Sequence, residues 1–331
     1  MLRNLCSISS VSLVVISVIP SFAHALGPID GDIYGRLNVT YQYENNAEDG
    51  KVWKLESNAS RLGFKGATPI EDGLSLIYQI EYGVEVDDGD KNGQTVSQRD
   101  TFVGVNGTWG QLKGGKLTVP FKESKGDFDR FNDLQGELGK IIDGEERVDN
   151  VLQYDSHKLL GPWVATLAIV PGENTDDGNE DGPADGMSGS LVLNDSAFYL
   201  GLGFNANIKQ QDQFRVVGTW KWEGVNDGTL SVGGLYQYSE ISERDVTYID
   251  GKEKAAAFGV SSAYSFQRYA IKAQYVVSDR SLQLSDARQF SLEFDRQLGE
   301  RSTLYCYFTQ RDADEKNKRN SYIAVGLRHP F

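Results

Sequence analysis

Residues 74–86 read LSLIYQIEYGVEV, and this stretch decides the class of fold. Every even-numbered position from Leu74 to Val86 is apolar or aromatic, whereas Ser75, Gln79 and Glu81 are polar. Successive side chains of a β-strand point to opposite faces of the sheet, so alternation with period two predicts a strand. The predicted strand has one apolar face and one polar face.

The same alternation recurs along most of the chain. It is clear in residues 37–43, 198–204, 214–222, 269–277, 290–294 and 325–331. Several segments extend over about ten residues, which lets a tilted strand cross a membrane, whereas strands of soluble proteins average about five or six. Tyrosine and tryptophan lie near many segment ends, as in the interfacial girdles of membrane barrels. The pattern predicts an all-β, antiparallel transmembrane barrel.

Short and long connections alternate between these segments. Residues 69–73 and 298–300 form tight turns, whereas residues 122–147 and 172–187 form long acidic connections. Short periplasmic turns and long external loops are typical of bacterial outer-membrane barrels.

These breaks predict sixteen strands, a number at which a barrel encloses an aqueous channel. We place the strands near 32–44, 51–66, 73–87, 97–106, 110–120, 147–155, 162–171, 188–194, 196–207, 212–223, 228–241, 253–265, 268–279, 286–298, 301–311 and 319–331. The second predicted strand loses its alternation from Lys54 to Ser60, which a face packed on another subunit tolerates better than a lipid-facing one.

The N-terminus has the three parts of a secretory signal peptide. Arg3 precedes the apolar run 11–19, and Ala23-His24-Ala25 provides a small-x-small cleavage site. We therefore predict a cleaved signal peptide, residues 1–25, and a barrel domain, residues 26–331. A retained N-terminal anchor is the alternative.

The remaining composition excludes several classes of protein. Residues 26–331 carry 32 Lys and Arg against 47 Asp and Glu, since Arg3 alone is charged in the predicted signal peptide, which gives a net charge of −15. This balance argues against nucleic acid as a partner and favours cations. Cys306 is the one cysteine of this domain, so no disulfide framework is predicted.

The chain resembles the trimeric general-diffusion porins of proteobacteria over essentially the whole predicted domain. The resemblance rests on Tyr34-Gly35-Arg36, Ser60 to Gly66 (SRLGFKG), Asp72-Gly73-Leu74, Val103 to Gly110, Tyr154-Asp155-Ser156 and the C-terminal Val325 to Phe331 (VGLRHPF). It implies a homotrimer in the outer membrane of a Gram-negative bacterium, in contact with phospholipid and lipopolysaccharide. It also implies passive diffusion of ions and small hydrophilic solutes, without a cofactor.

In that family a long third loop folds into the lumen, and its acidic residues face basic residues on the wall. The corresponding loop is residues 121–147, in which residues 126–131 replace the usual Pro-Glu-Phe-Gly-Gly core. The resemblance implies a constriction with two sides: the acidic side is Asp127, Asp129, Asp133 and Glu137, and the basic side is Arg36, Arg61 and Lys116. A further basic family position falls near Asp155, and its loss favours cations. Each of these residues could instead be an ordinary solvated lumen residue.

The C-terminal residue resembles a signal for membrane assembly. Phe331 shares its strand face with Val325 and Leu327, as in the sequence that the barrel-assembly machinery recognises, although His329 interrupts the apolar series. An ordinary last strand with an aromatic belt residue is the alternative.

Other functions have weaker signals. The oxygen-rich residues 176–182 could hold Ca²⁺, but they lack the spacing of an EF-hand loop, so a solvated external loop is favoured. Neither His157 nor His329 lies near a nucleophile motif, and no metal-binding or catalytic site is predicted. A sugar-specific channel, with aromatic side chains along its lumen, and a secreted surface β-protein such as an adhesin are the alternatives to a general porin.

Overall fold

The computed structural model describes residues 30–47, 50–88, 93–158, 161–172, 182–242, 247, 251–313 and 318–331. The predicted signal peptide and most of the acidic stretch 176–182 lie outside these residues. No helix in the described part of the chain is long and apolar enough to span a membrane.

The described residues form one antiparallel sheet that closes on itself. Its strands are β1 (Gly31–Asn46), β2 (Gly50–Ser57), β3 (Arg61–Glu71), β4 (Leu74–Val84), β5 (Val96–Gly107), β6 (Gly110–Thr118), β7 (Arg147–Ser156), β8 (Trp163–Val170), β9 (Gly186–Asn194), β10 (Phe198–Ile208), β11 (Gln211–Val225), β12 (Gly228–Ile241), β13 (Lys254–Phe266), β14 (Tyr269–Arg280), β15 (Ser285–Leu298), β16 (Ser302–Ala313) and β17 (Lys318–Pro330). From β3 onward each strand pairs with the next one, and β17 pairs with β1, where Tyr41 lies opposite Val325.

β2 and β3 together occupy one strand position in the barrel, because both pair with β1. β1 pairs through Val39–Asn46 with β2 and through Gly31–Arg36 with β3. The break between them contains Ala59, whose φ is +51°, and the side-chain amide of Asn58 donates to Thr40 Oγ1 across it at 2.9 Å. The predicted sixteen-stranded antiparallel barrel is therefore confirmed, and the break falls where the sequence loses its alternation.

The exposure of the two strand faces is the reverse of that in a soluble protein. In β15 the apolar Phe290, Leu292 and Phe294 are 41–44% exposed, whereas the intervening Ser291 and Glu293 are 1% exposed. A barrel that meets hydrocarbon outside and water or a covering segment inside has this pattern. The polar face therefore lines the lumen.

A segment without strands connects β6 to β7, and we call residues 119–146 the long loop. It contains a single-turn helix, α1 (Pro120–Glu123), and two 3₁₀ turns, Gly126–Phe128 and Leu138–Lys140. Proline at the first helical position is favoured because its missing N–H would have no partner there. The contacts of this loop determine the candidate site.

Candidate pore site

Apolar side chains of the long loop pack against the polar face of the wall. Phe128, Leu138, Ile141 and Ile142 form one cluster with wall residues that include Val217, Leu235 and Val276. A second cluster joins Phe131 and Leu134 to Tyr305, Tyr307 and Tyr322. Each loop residue in these clusters is at most 3% exposed.

Small wall residues make this packing possible. A Cβ atom built on Gly259 would lie 2.7 Å from Phe128 Cζ, and one on Gly233 would lie 3.2 Å from Phe128 Cδ2. On the loop itself, a Cβ on Gly136 would lie 2.4 Å from Ser291 Oγ. The loop and the wall therefore approach so closely that a larger residue at Gly259 or Gly136 would force a displacement.

Amide and guanidinium groups of the wall donate hydrogen bonds to backbone carbonyls of the loop. Gln289 Nε2 donates to Gly136 O at 2.7 Å, and Arg311 Nη2 donates to Gln135 O at 2.6 Å. Gln237 Nε2 donates to Asp143 O at 2.8 Å. Buried carbonyls need such partners, so these wall residues replace the water that an exposed loop would bind.

Four charged residues form a buried ionic network between the loop and β11, and we call it the Lys125 network. Lys125 Nζ lies 2.9 Å from Asp129 Oδ2 and 2.6 Å from Glu145 Oε2. Arg215, which is fully buried, places Nη1 2.8 Å from Glu145 Oε1 and its guanidinium 4.3 Å from the Phe121 ring centroid. Two cations therefore balance two anions, and Lys125 links Asp129 in the first half of the loop to Glu145 near its end.

The electrostatics of this network favour the charged forms of Glu145 and Lys125. Burial by itself raises the pKa of Glu145, but the charges of Lys125 and Arg215 outweigh that effect, so its pKa is lowered. Burial lowers the pKa of Lys125, and the carboxylates of Asp129 and Glu145 outweigh this, so its pKa is raised.

An arginine cluster lies on the wall beside the loop. Arg36 Nη2 lies 2.5 Å from Asp133 Oδ2, and Arg61 Nη1 lies 4.0 Å from the same oxygen. Arg99 Nε lies 2.5 Å from Glu81 Oε1. The pKa of Asp133 is lowered because the charge and hydrogen bond of Arg36, together with Arg61, outweigh the opposing effect of burial.

Next to this cluster, β4 to β9 and the start of the long loop line a cavity of about 540 Å³. Its wall carries Lys113, paired with Asp155 at 2.8 Å, and Asp100, paired with Arg147 at 2.6 Å. Glu123 projects from the loop into it and forms no ion pair with a described residue. This side of the lumen is open and charged.

The structure brings together some of the predicted constriction residues. Arg36, Arg61 and Asp133 meet directly. Asp127 is 64% exposed and lies 3.3 Å from Lys221 on β11. Glu137 accepts a hydrogen bond from the backbone N–H of Asp133, and burial raises its pKa.

Two other predicted residues lie elsewhere. The side chain of Asp129 is 1% exposed and belongs to the buried Lys125 network. Lys116 lies opposite Thr101 on β5, and Thr101 lies opposite Ile80 on β4. Ile80 is an exposed apolar residue of the outer face, so Lys116 is on the outer face as well. Its Nζ lies 2.7 Å from Asp149 Oδ1 and forms no ion pair with the loop acids.

Sequence reasoning missed several residues of the site. Arg99 and Glu81 form an ion pair as close as that of Arg36 with Asp133, and Glu81 could have been found because it shares the polar face of the opening stretch. Glu123 was missed because nothing in the sequence separates it from other loop acids. The match between Glu145 and Arg215 requires the fold, since these residues are far apart in the chain.

The C-terminus closes the barrel next to β1. The backbone N–H of Phe331 donates to Gly35 O at 3.0 Å, and Gly35 N–H donates to Phe331 O at 3.1 Å. Phe331 is 46% exposed, and its ring lies over Gly35, where a Cβ would approach it within 2.3 Å. His329 Nδ1 lies 2.8 Å from Ser302 Oγ. No cluster of metal-ligating side chains occurs among the described residues.

Comparison with known proteins identifies the class of protein that this barrel represents. The family model described as "Gram-negative porin" matches residues 12–316, so the chain belongs to the Gram-negative porin family. It is an outer-membrane porin, and porins are channels rather than enzymes.

Individual relatives agree with this assignment. The major outer membrane protein P.IB of Neisseria gonorrhoeae is 25% identical over 317 residues, which cover 91% of this chain and 84% of that protein. The outer membrane porin protein 32 of Delftia acidovorans is 22% identical over 358 residues, covering 97% and 99% of the two chains.

Solved structures share the fold. The anion-selective porin from Comamonas acidovorans superposes with a TM-score of 0.70 at 18% identity, covering 91% of this chain and 99% of that chain. OmpF of Salmonella typhi, in complex with daunomycin, gives a TM-score of 0.68 at 16% identity, covering 91% and 97%.

Proposed function

We propose that the long loop narrows the lumen to a constriction and that the channel passes ions and small hydrophilic solutes, with a weak preference for cations. The observation that carries this proposal is the distribution of loop contacts. The loop packs on the polar face of β10 to β17, whereas the 540 Å³ cavity lies beside β4 to β9. Solutes therefore pass between the loop and the arginine-bearing wall.

The preference for cations follows from which charges are already neutralised. Arg36, Arg99 and Lys113 each have a carboxylate within 2.8 Å. Glu123 has no ion-pair partner among the described residues, and the 3.3 Å ion pair of Asp127 with Lys221 is exposed to water, which weakens it. Uncompensated charges at a narrow wet gap select ions of opposite sign. The net charge of −15 on residues 26–331 adds a weak field of the same sign.

The test is the reversal potential of the purified protein in planar bilayers under a KCl gradient. Wild type should favour K⁺, and the Glu123→Gln/Asp127→Asn variant should lose part of this preference. A matched control, Glu71→Gln/Asp72→Asn at a short turn, removes two exposed acids far from the loop and should leave the potential unchanged. Equal shifts in both variants would contradict the assignment of Glu123 and Asp127 to the constriction.

A preference for anions is the second candidate. This candidate is favoured by Arg61, which lies beside Arg36 and Arg99. The carboxylate oxygens nearest to the Arg61 guanidinium nitrogens are 3.9 and 4.0 Å away. The same measurement separates the two candidates by the sign of the reversal potential. Arg61→Gln should raise the K⁺/Cl⁻ permeability ratio in either case, by about threefold for one charge acting across a few ångströms of water.

We also propose the assembly and processing of the protein. The signal peptide is residues 1–25, the short turns face the periplasm, and Phe331 is read by the barrel-assembly machinery. The mature protein is a homotrimer that contacts phospholipid and lipopolysaccharide. The stacked Tyr41 and Trp53, with centroids 5.2 Å apart on the outer face beside the strand break, support a subunit contact at β1 and β2. Cross-linking of purified protein, with and without boiling, tests the trimer; a monomer under native conditions would contradict it.

A further inference from the structure

The short turns lie at one end of the barrel, and acidic and basic residues are distributed unevenly among them. Most charged residues at these turns are acidic and exposed: Glu71, Asp72, Asp195, Glu223 and Asp227. The turns between β13 and β14 and between β15 and β16 are different. Arg268, Arg296 and Arg301 occur there, all exposed, and Lys158, between β7 and β8, is the other base at a described turn of this end of the barrel.

The three arginines lie on neighbouring turns. The backbone N–H of Gln297 donates to Arg268 O at 2.7 Å, which joins the two turns. Arg296 lies opposite Tyr269 and Leu304. Its side chain is therefore on the same lipid-facing side of β15 as that of Phe294. Arg301 follows in the second turn, before β16. None of the three forms an ion pair with a described residue, although Glu300 is nearby in the chain.

A continuous aromatic belt ends at these arginines. Tyr264 stacks on Phe266 with ring centroids 5.5 Å apart, Phe266 lies 5.5 Å from Tyr269, and Tyr269 stacks on Phe294 at 5.8 Å. Aromatic belts lie at the level of lipid headgroups, and an arginine there extends its charge toward water while its stem remains in the apolar layer. The arginines therefore lie at headgroup depth, next to rings that contact acyl chains.

We propose that Arg268, Arg296 and Arg301 form a binding site for the phosphodiester headgroup of an anionic phospholipid from the periplasmic leaflet. Guanidinium groups match phosphate oxygens in geometry and remain charged. In an otherwise acidic protein, three exposed arginines that lack an ion pair with a described residue can bind an external anion beside the lipid-facing belt. This proposal rests on the proposed periplasmic location of the short turns.

The test is lipid binding to detergent-purified, delipidated protein, measured by native mass spectrometry with phosphatidylglycerol and phosphatidylethanolamine. Wild type should bind phosphatidylglycerol more tightly, and the Arg268→Gln/Arg296→Gln/Arg301→Gln variant should lose about fivefold in affinity for each arginine removed. The matched control, Lys51→Gln/Lys254→Gln/Arg319→Gln, removes three bases at the opposite rim and should bind as wild type does. Heat-modifiable migration verifies that each variant is folded.

Several outcomes would overturn the proposal: equal affinity for the two lipids, wild-type binding by the arginine variant, or an equal loss in the control. Displacement of the lipid by inorganic phosphate would indicate a free-anion site. Tighter binding of lipid A than of phosphatidylglycerol at these arginines would place the short turns at the outer leaflet and overturn the proposal. Ion selectivity is measured separately, so failure of the constriction proposal leaves the result of this experiment unaffected.

Discussion

The two sides of the lumen are built from the same kind of strand but have different environments. On one side, which we call the anchored side, the long loop covers the polar face of β10 to β17 and excludes water. On the other, the open side, the polar face of β4 to β9 borders the cavity and carries ion pairs accessible to water. Period-two alternation is common to both sides and therefore does not determine where the channel lies.

One local difference is the size of the inward-facing side chains at β13 compared with those at β5 and β6. β13 presents Ala255, Ala257, Gly259 and Ser261 to the lumen, and the missing side chain of Gly259 leaves space for the Phe128 ring. β5 to β7 instead present long residues such as Arg99, Lys113 and Gln111. At β13 the small inward residues thus accept an aromatic ring of the loop, whereas at β5 and β6 the longer side chains line the cavity.

The largest effect should come from breaking the anchored side at Arg215. Arg215→Met leaves the Lys125 network with an uncompensated buried negative charge, which costs about 3–5 kcal/mol in comparable buried pairs. We expect the loop to detach part of the time, so that single-channel recordings show broader and larger conductance levels. Trypsin should also cleave the folded barrel within the loop, which contains Lys122 and Arg130.

The double variant Arg215→Met/Glu145→Met is the control for this prediction. It leaves Lys125 paired with Asp129, so the buried charge is again balanced, and conductance should return toward that of wild type. A single variant that conducts as wild type does, or a double variant worse than the single one, would mean that the network does not hold the loop.

The sequence predicted the fold well because a transmembrane barrel repeats one simple pattern. Even the loss of alternation near Ser60 corresponds to a structural feature, the break between β2 and β3. Arg36 and Asp133, which the resemblance placed on opposite sides of the expected constriction, are in contact, and their role in a constriction stays a prediction.

The anchored side was not predictable in the same way. Lys125, Asp129 and Glu145 look like solvated loop residues, and they are buried because β11 supplies Arg215 at a distant point of the chain. Lys116 was assigned to the lumen from the expected parity of its strand and from its sequence motif, whereas the observed strand register puts it on the outer face, opposite Thr101. Long-range charge matching and local register both depend on the folded barrel.

An intermediate effect is expected from protonation on the open side. Glu123 faces water within the lumen, but the surrounding protein displaces bulk water, and this desolvation raises its pKa above the ordinary value. A carboxyl with a raised pKa becomes neutral at a higher pH than usual. Lowering the pH from about 7 to about 5 should therefore reduce the K⁺/Cl⁻ permeability ratio of wild type.

The Glu123→Gln variant isolates this contribution, because it is neutral at every pH. Its permeability ratio should already be low at neutral pH and should change less on acidification than that of wild type. If the two proteins respond equally to pH, another carboxylate is responsible, and Glu123 does not control the open side.

The smallest effect is expected at Lys116, which lies outside both sides. Its ammonium is paired with Asp149, and the register puts it in the row of Ile80. Exposed ion pairs contribute at most about 1 kcal/mol, and salt screens them further. Lys116→Gln should therefore shift the reversal potential less than Arg61→Gln, although both remove one positive charge. An equal shift would mean that Lys116 lies at the constriction. It would extend the open side to the end of β6 and contradict the outward orientation of Lys116 that the strand register indicates.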